Sequence, residues 1–283
     1  MGVQSKLKIF VACHKPFDVI SSDVYTPIHV GRAISQYQKE MAGMIGDDTG
    51  DNISDKNPYY SEMTAMYWAW KNCHDAEFLG LAHYRRYFDY DFAINDVDNL
   101  FADGTDVLMA GPRFRHYNRW NFLKTFVSAE DLAIMQMVVM KLYPEYYATM
   151  TSYANDYLDY PFNMMICHRE LFCKYAEWIF SILFECEKYV KLSPYSRARR
   201  IYGYMSEFLM PVYFIHNALR IKGLPYYYTD TGDHIKDFNW RQRMIRNVLK
   251  KIYFRYQNMP LDIDPTVKAS LIADGVDIII DNS

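Results

Sequence analysis

A cationic cluster follows an apolar, strand-like segment at residues 78–82. His83, Arg85 and Arg86 come directly after it. Ligands of open α/β sheets bind at the carboxyl ends of strands, and the fixed fork of donors on Arg suits the charge of a departing diphosphate. The cluster therefore predicts an anion site in which these three side chains stabilise a pyrophosphate leaving group. The alternative is an Arg pair that forms surface ion pairs with nearby acids.

A regular strand would not deliver the whole cluster to one site. Side chains alternate between the two faces of a strand, so His83 and Arg85 share one face while Tyr84 and Arg86 share the other. Either one face carries the chemistry, or a bend at the end of the strand presents both arginines.

Two carboxylates follow the cluster at the D-x-D spacing. Asp89 and Asp91 offer the oxygen ligands that hard divalent cations prefer, and a cation held there would neutralise a diphosphate. In the alternative, His83, Arg85 and Arg86 replace the cation and the enzyme is independent of metal. With no H-E-x-x-H motif and no paired cysteines, a zinc site is not expected.

A long polar loop is predicted at residues 43–57. Loops of this length in compact domains are usually functional or disordered. Its short donors and acceptors suit ribose and sugar hydroxyls, and its glycine permits close approach of a ligand to the backbone. The alternative is a solvated turn that satisfies its own backbone. The candidate residues of this loop are Asp48, Thr49, Gly50, Asp51 and Asn52.

Two further polar residues stand in apolar surroundings. Asn163 begins the strand-like segment 162–167 and is placed to direct its amide into the crevice at the end of the sheet, although such an Asn also suits a plain turn. Glu207 lies in the apolar, helix-like segment 202–210. Burial raises the pKa of a carboxyl group there, so Glu207 is a candidate general base; the alternative is an ion pair within its helix.

Strands and helices alternate along the chain, which predicts an α/β protein with a mostly parallel central sheet flanked by helices. Asn57 and Pro58 are expected to begin a helix that runs through Trp70, and Ser128 with Asp131 to begin another. The predicted strands are 7–12, 78–82, 106–110 and 162–167, and the predicted helices are 57–70, 128–142 and 170–189.

The composition excludes some classes of protein. With 31 basic and 34 acidic residues the net charge is -3, which is not that of a protein that coats nucleic acid. The five cysteines have no C-x-x-C spacing and mostly lie in apolar segments, as free thiols do in reducing compartments, so we expect a cytoplasmic protein. No apolar run of 18 residues predicts a membrane span.

The segment 236–257 differs from the rest of the chain. It carries seven basic residues against one acid, Asp237, interleaved with aromatic and aliphatic residues. A basic amphipathic helix is typical of proteins that lie on an anionic membrane surface, although a helix packed on the domain is the alternative. We therefore expect one domain over residues 1–235, followed by a helical extension and tail over 236–283.

Several motifs in this order resemble those of the bacterial family catalogued as domain of unknown function 4422, whose members are associated with capsular, exopolysaccharide and O-antigen synthesis. The likeness spans roughly residues 7–220. The matching segments are residues 10–16, 47–54, 56–58, 62–70, 80–88, 162–165, 193–196 and 202–207.

The resemblance implies a GT-A-like glycosyltransferase, most simply a galactosyltransferase that uses a UDP-sugar to extend a lipid-linked glycan on the cytoplasmic face of the membrane. It also implies that the cationic cluster replaces the usual metal-binding acids, so a divalent cation (Mn or Mg) is required only if Asp89 and Asp91 bind one. The expected catalytic residues are Glu207 as base and His83, Arg85 and Arg86 at the leaving group. The expected substrate-binding residues are His14, Lys15, Asp48, Thr49, Gly50, Asp51, Asn52, Asn57, Tyr84 and Asn163.

Two other functions stay open from the sequence. One is a non-catalytic, membrane-associated scaffold of polysaccharide assembly, which would need only the basic helix. The other is a phosphotransferase or hydrolase acting on a sugar phosphate, which would work without a glycan acceptor.

Overall fold

A computed structural model describes residues 6–92, 97–115, 117–235, 241, 244–245, 248, 259 and 262–276. The chain forms two compact units. The first unit comprises Met1–Pro112, Tyr160–Glu177 and Ala218–Asp237, and the second comprises Arg113–Asp159, Trp178–Asn217 and Phe238–Ser283. The expected division between residues 235 and 236 stays a prediction, because most of 236–257 lies outside the described residues.

The described strands are short, and most belong to the first unit. They are β1 (Leu7–Cys13), β2 (Tyr25–His29), β3 (Ile45–Gly46), β4 (Phe78–His83), β5 (Arg86–Phe88), β6 (Val107–Ala110), β7 (Arg113–Phe114), β8 (Leu158–Asp159), β9 (Met165–His168), β10 (Ile221–Leu224), β11 (Tyr226–Tyr228) and β12 (His234–Ile235).

The described helices alternate with these strands. They are α1 (Asn57–Tyr60), α2 (Met63–Asn72), α3 (Val97–Phe101), α4 (Arg119–Leu123), α5 (Ala129–Leu142), α6 (Tyr147–Ala154), α7 (Arg169–Glu187), α8 (Ser196–Arg199), α9 (Ile201–His216) and α10 (Pro265–Ala273). Single 3-10 turns lie at Arg32–Ile34, Ser54–Lys56 and Pro144–Tyr146.

The central sheet of the first unit has the order β10-β6-β9-β4-β1-β2-β3. All neighbouring pairs are parallel except those of β9, which runs antiparallel to both β4 and β6. Strand β1 lies inside the sheet, and its apolar side chains are buried. Helix α2 packs on it, with Phe10 and Trp68 in edge contact at 5.7 Å. The predicted α/β fold with a central sheet flanked by helices is confirmed: these seven strands are mostly parallel, and β5, β11 and β12 extend the same sheet through antiparallel pairs.

Strand β4 ends in a tight hairpin. Tyr84 and Arg85 form the turn, His83 pairs with Arg86 in antiparallel register, and β5 continues onto β11. A single site for the cationic cluster requires a bend at the end of the strand. This hairpin provides the bend, because it reverses the chain between His83 and Arg86.

The helix predicted from Asn57 to Trp70 is wrong in one respect, because it is two helices. Ser61 has φ 54° and separates α1 from α2. The Asn57 side chain stabilises this break: its Nδ2 donates to the Ser61 carbonyl oxygen at 2.8 Å and to Thr64 Oγ1 at 3.2 Å. A contact of this kind between side chain and backbone is not visible in apolar periodicity.

The strand predicted at 162–167 also begins later than expected. Phe162, with φ 65°, and Asn163 form a turn, and β9 starts at Met165. The predicted loop at 43–57 contains the two residues of β3, which pair with β2 at the sheet edge. Both differences come from tertiary pairing, which overrides local composition.

The second unit is mainly helical. Ser128 begins α5 as predicted, because its Oγ accepts from the backbone N–H of Asp131 at 3.0 Å. Within the described part of the chain, no helix is both long and apolar enough to cross a membrane. All five cysteines are free thiols, and all but Cys173 are buried, as expected.

Candidate active site

The β4–β5 hairpin places both arginines at the carboxyl end of β4. Arg86 lies against two aromatic rings, with its Cζ 4.1 Å from the centre of Phe162 and 5.3 Å from that of Tyr228. Arg85 lies near Asp230, with 3.5 Å between Nη1 and Oδ2. Contact with these rings holds the Arg86 guanidinium beside the end of β4 before any ligand arrives.

Three buried donors at this hairpin have no hydrogen-bond partner in the described structure. They are Nε of Arg85, Nε of Arg86 and Oγ1 of Thr229. They belong to adjoining backbone, because Thr229 N donates to the Arg85 carbonyl oxygen at 3.1 Å and Tyr228 pairs with Arg86. A buried polar group without a partner costs about 1–3 kcal/mol. Donors grouped in this way are typical of a site that binds an anion.

Histidine and tyrosine side chains line the approach to the hairpin. The buried Tyr84 ring lies 4.5 Å from His83 and 5.3 Å from the exposed His14. Tyr84 belongs to the apolar core, so packing is its visible role. His83 Nδ1 accepts weakly from Arg85 N at 3.4 Å. Lys15 is exposed next to His14. The structure thus brings together His14, His83 and both arginines.

Most of the polar loop is engaged with itself and with α2. Trp68 Nε1 donates to Thr49 Oγ1 at 2.9 Å, and Tyr67 Oη donates to Asp51 Oδ1 at 3.0 Å. Burial and that Asp51 contact raise the pKa of Tyr67 to about 12. Asn52 closes a local turn, since its Oδ1 accepts from Ser54 N at 3.1 Å.

A glycine is required at one position of this loop. Gly50 has φ 58°, and a Cβ there would lie 2.0 Å from Asn72 Oδ1. Together with the contacts above, this supports the alternative interpretation, a turn that satisfies its own groups, for Thr49, Gly50, Asp51 and Asn52; their ligand contacts stay predictions.

Asp48 differs from the rest of its loop. Its Oδ1 is buried without a hydrogen-bond partner in the described structure, and its Oδ2 lies 3.6 Å from Arg32 Nε. It follows β3, at the same edge of the sheet as the hairpin, because β3, β2, β1 and β4 are parallel neighbours. An acceptor at that edge suits a ribose hydroxyl or a base N–H.

Asp89 of the D-x-D pair contacts another side chain of the protein. Asp89 Oδ2 lies 2.8 Å from His234 Nδ1 in an exposed hydrogen bond. Among the described residues, no three His, Cys, Asp or Glu side chains come together as a metal site would require. Binding of a divalent cation by Asp89 and Asp91 stays a prediction.

Glu207 lies in the second unit, on α9. It lies near the buried ion pair of Arg119 and Asp159, in which Nη1 of Arg119 is 2.7 Å from Oδ1 of Asp159. Burial alone would lower the pKa of Arg119, but the charges of Asp159, Tyr153 and Glu207 raise it. This environment favours a structural role for Glu207, and its role as general base stays a prediction.

The structure identifies a carboxylate that the sequence argument missed. Glu62, between α1 and α2, accepts a hydrogen bond from Asn163, with 2.8 Å between Oε1 and Nδ2. Asn163 is 1% exposed, and Phe162 before it packs against Arg86. In sequence, an acid just before an apolar helix looks like an ordinary helix-start residue, so only the long-range pairing identifies Glu62.

Fold and site together define an α/β protein with a candidate anion site at the carboxyl edge of a mostly parallel sheet. Residues 8–218 match the family described as "Domain of unknown function (DUF4422)", and the chain belongs to this family. The resemblance stated from the sequence is thus confirmed.

A solved structure shares this fold. It is the apo form of the WbbM bifunctional glycosyltransferase, with a TM-score of 0.69 and 28% sequence identity. The match covers 81% of this chain and 46% of that one, so this chain spans less than half the length of the protein that it matches. No curated protein sequence matches this chain at a significant level.

Proposed function

We propose that this protein is a glycosyltransferase that moves a hexose, galactose in the simplest case, from a UDP-sugar to a lipid-linked glycan in capsule, exopolysaccharide or O-antigen synthesis. Membership of the family and the likeness to a glycosyltransferase structure support the class of reaction. The sugar, nucleotide and acceptor follow from the family resemblance stated above.

The observation that carries the proposal is the group of buried donors at the hairpin. When the bond from the anomeric carbon to the diphosphate breaks, negative charge grows on the departing oxygen. Nε of Arg85, Nε of Arg86 and Oγ1 of Thr229 are donors that have no hydrogen-bond partner in the described structure. Donors fixed in advance stabilise such charge without reorganising during the reaction, which is the usual source of large rate effects.

No step in this mechanism passes through a divalent cation. We propose that the guanidiniums of Arg85 and Arg86 supply the positive charge that a cation would otherwise bring, with His83 beside them as a hydrogen-bonding group. Asp48 is the proposed contact to the nucleoside, because its buried acceptor lies at the same edge of the sheet. His14 and Lys15, exposed after β1, are proposed to meet the donor from the same edge.

A lipid-linked acceptor requires approach to a membrane surface. We propose that residues 236–257 provide it, on the inner face of the cytoplasmic membrane. Three described helical residues of this segment, Met244, Ile245 and Val248, are at least half exposed and have the spacing of one helix face. Apolar side chains beside basic ones are typical of helices that lie in a lipid interface.

The direct test is the release of UDP from UDP-galactose, followed with and without a lipid-linked glycan extract. We expect release of UDP that depends on the acceptor, together with a lipid product heavier by one hexose. Free sugar or phosphate without acceptor would instead identify a hydrolase or phosphotransferase. Binding to liposomes without any turnover would identify a scaffold.

A further inference from the structure

Glu62 and Asn163 meet at the edge of the sheet where the anion site lies. Strand β9 runs antiparallel to β4, so the residues just before β9 lie at the end of β4 that carries the hairpin. Asn163 is one of these residues, and its amide donates to Glu62 Oε1 at 2.8 Å. Its neighbour Phe162 is the ring on which Arg86 lies. One carboxylate is thereby fixed close to the proposed leaving-group site.

The backbone is strained immediately before both partners. Ser61 has φ 54° and Phe162 has φ 65°, a region that side chains larger than that of glycine rarely adopt. Each such residue costs about 1–3 kcal/mol and persists only where the surroundings enforce it. Asn57 holds the Ser61 carbonyl oxygen, and Arg86 packs on the Phe162 ring. Two strained residues therefore converge on the Glu62–Asn163 pair.

We propose that Glu62 is the catalytic base of the transfer and that Asn163 is the positioning residue that orients its carboxylate; this inference rests on the proposed function. The acceptor hydroxyl gives its proton to Glu62, and its oxygen forms the new bond to the anomeric carbon. The bond from that carbon to the diphosphate breaks, and its electron pair leaves with UDP. Attack opposite the leaving group inverts the anomeric configuration.

The hydrogen bond explains why Asn163 is needed. Its amide donates to one oxygen of the Glu62 carboxylate and so fixes the plane of that group. The base is thereby held in one orientation toward the acceptor. This contact assigns Asn163 a role through Glu62, so its loss should lower kcat and leave the KM for the donor unchanged.

The test compares Glu62→Gln with Glu170→Gln as matched control, because Glu170 is an exposed acid of the same unit that forms an ion pair with Lys174 across one helical turn. We expect Glu62→Gln to lower kcat by about 10²–10⁴-fold, the usual contribution of a general base. Its KM for UDP-sugar and its affinity for UDP should equal those of the wild type. Added formate should partly restore turnover to Glu62→Ala, an effect that a structural role would not produce.

The outcomes separate this inference from the proposed function. A wild-type protein that shows no acceptor-dependent release of UDP would overturn the proposed function itself. An active wild type with normal kcat in Glu62→Gln, a raised KM alone, or a retained anomeric configuration would overturn the role of Glu62. If circular dichroism shows that Glu62→Gln does not fold, Glu62→Asp is measured instead. A kcat equal to that of the wild type in Glu62→Asp would contradict the claim that the position of the base determines turnover.

Discussion

Replacing Arg86 by Ala should lower turnover strongly while changing the stability of the fold very little. The guanidinium contacts the rings of Phe162 and Tyr228, and these two contacts contribute about 0.5–1 kcal/mol each to folding. The substitution also removes the buried Nε, whose unmade hydrogen bond costs about 1–3 kcal/mol. These terms nearly cancel, so we expect the free energy of unfolding to change by less than about 1 kcal/mol.

Turnover should respond quite differently. Loss of one donor at a developing negative charge lowers kcat by about 10²-fold or more, equivalent to about 2.7 kcal/mol of transition-state stabilisation. Urea unfolding and UDP release would be measured on Arg86→Ala, Arg85→Ala and a control, Arg169→Ala, which removes an exposed arginine of the same unit. Near-normal turnover in both hairpin variants would refute the assignment of the leaving-group site.

Three further predictions concern stability and reactivity. Gly50→Ala should destabilise the protein by about 1–2 kcal/mol because of its positive φ and its close neighbour, whereas Gly43→Ala, in open space, should be nearly neutral in urea unfolding. Asp159→Asn should cost about 3–5 kcal/mol because it leaves a buried guanidinium unpaired; a thermal melt equal to that of wild type would contradict this. Burial raises the pKa of all five thiols, to about 12 for Cys13, so at pH 8 the native protein should react with a thiol reagent first at half-buried Cys173, and all five should react in urea.

Sequence reasoning succeeded where the determinants are local. Apolar segments predicted β1, β4 and β6, and the capping residues at Ser128 predicted the start of α5. It also placed His83 and the arginines at the end of a strand. These features depend on neighbours a few residues apart, which periodicity and capping patterns record.

It failed where residues distant in the chain meet. The hairpin depends on pairing of β5 with β11, about 140 residues later, and the Glu62–Asn163 contact spans 101 residues. The turn at Phe162 and the break at Ser61 have backbone conformations that no propensity favours. Such strain is stabilised by tertiary contacts, so it is visible only once the chain is folded.

The central claim is that the arginine hairpin binds the diphosphate of a nucleotide. Calorimetric titration of the protein with UDP, once with manganese and once with EDTA, tests it most directly, and Arg86→Ala serves as the matched variant. Binding of UDP should persist in EDTA and weaken in the variant. Binding that requires manganese would instead assign the diphosphate to Asp89 and Asp91, and absence of binding under both conditions would contradict the account.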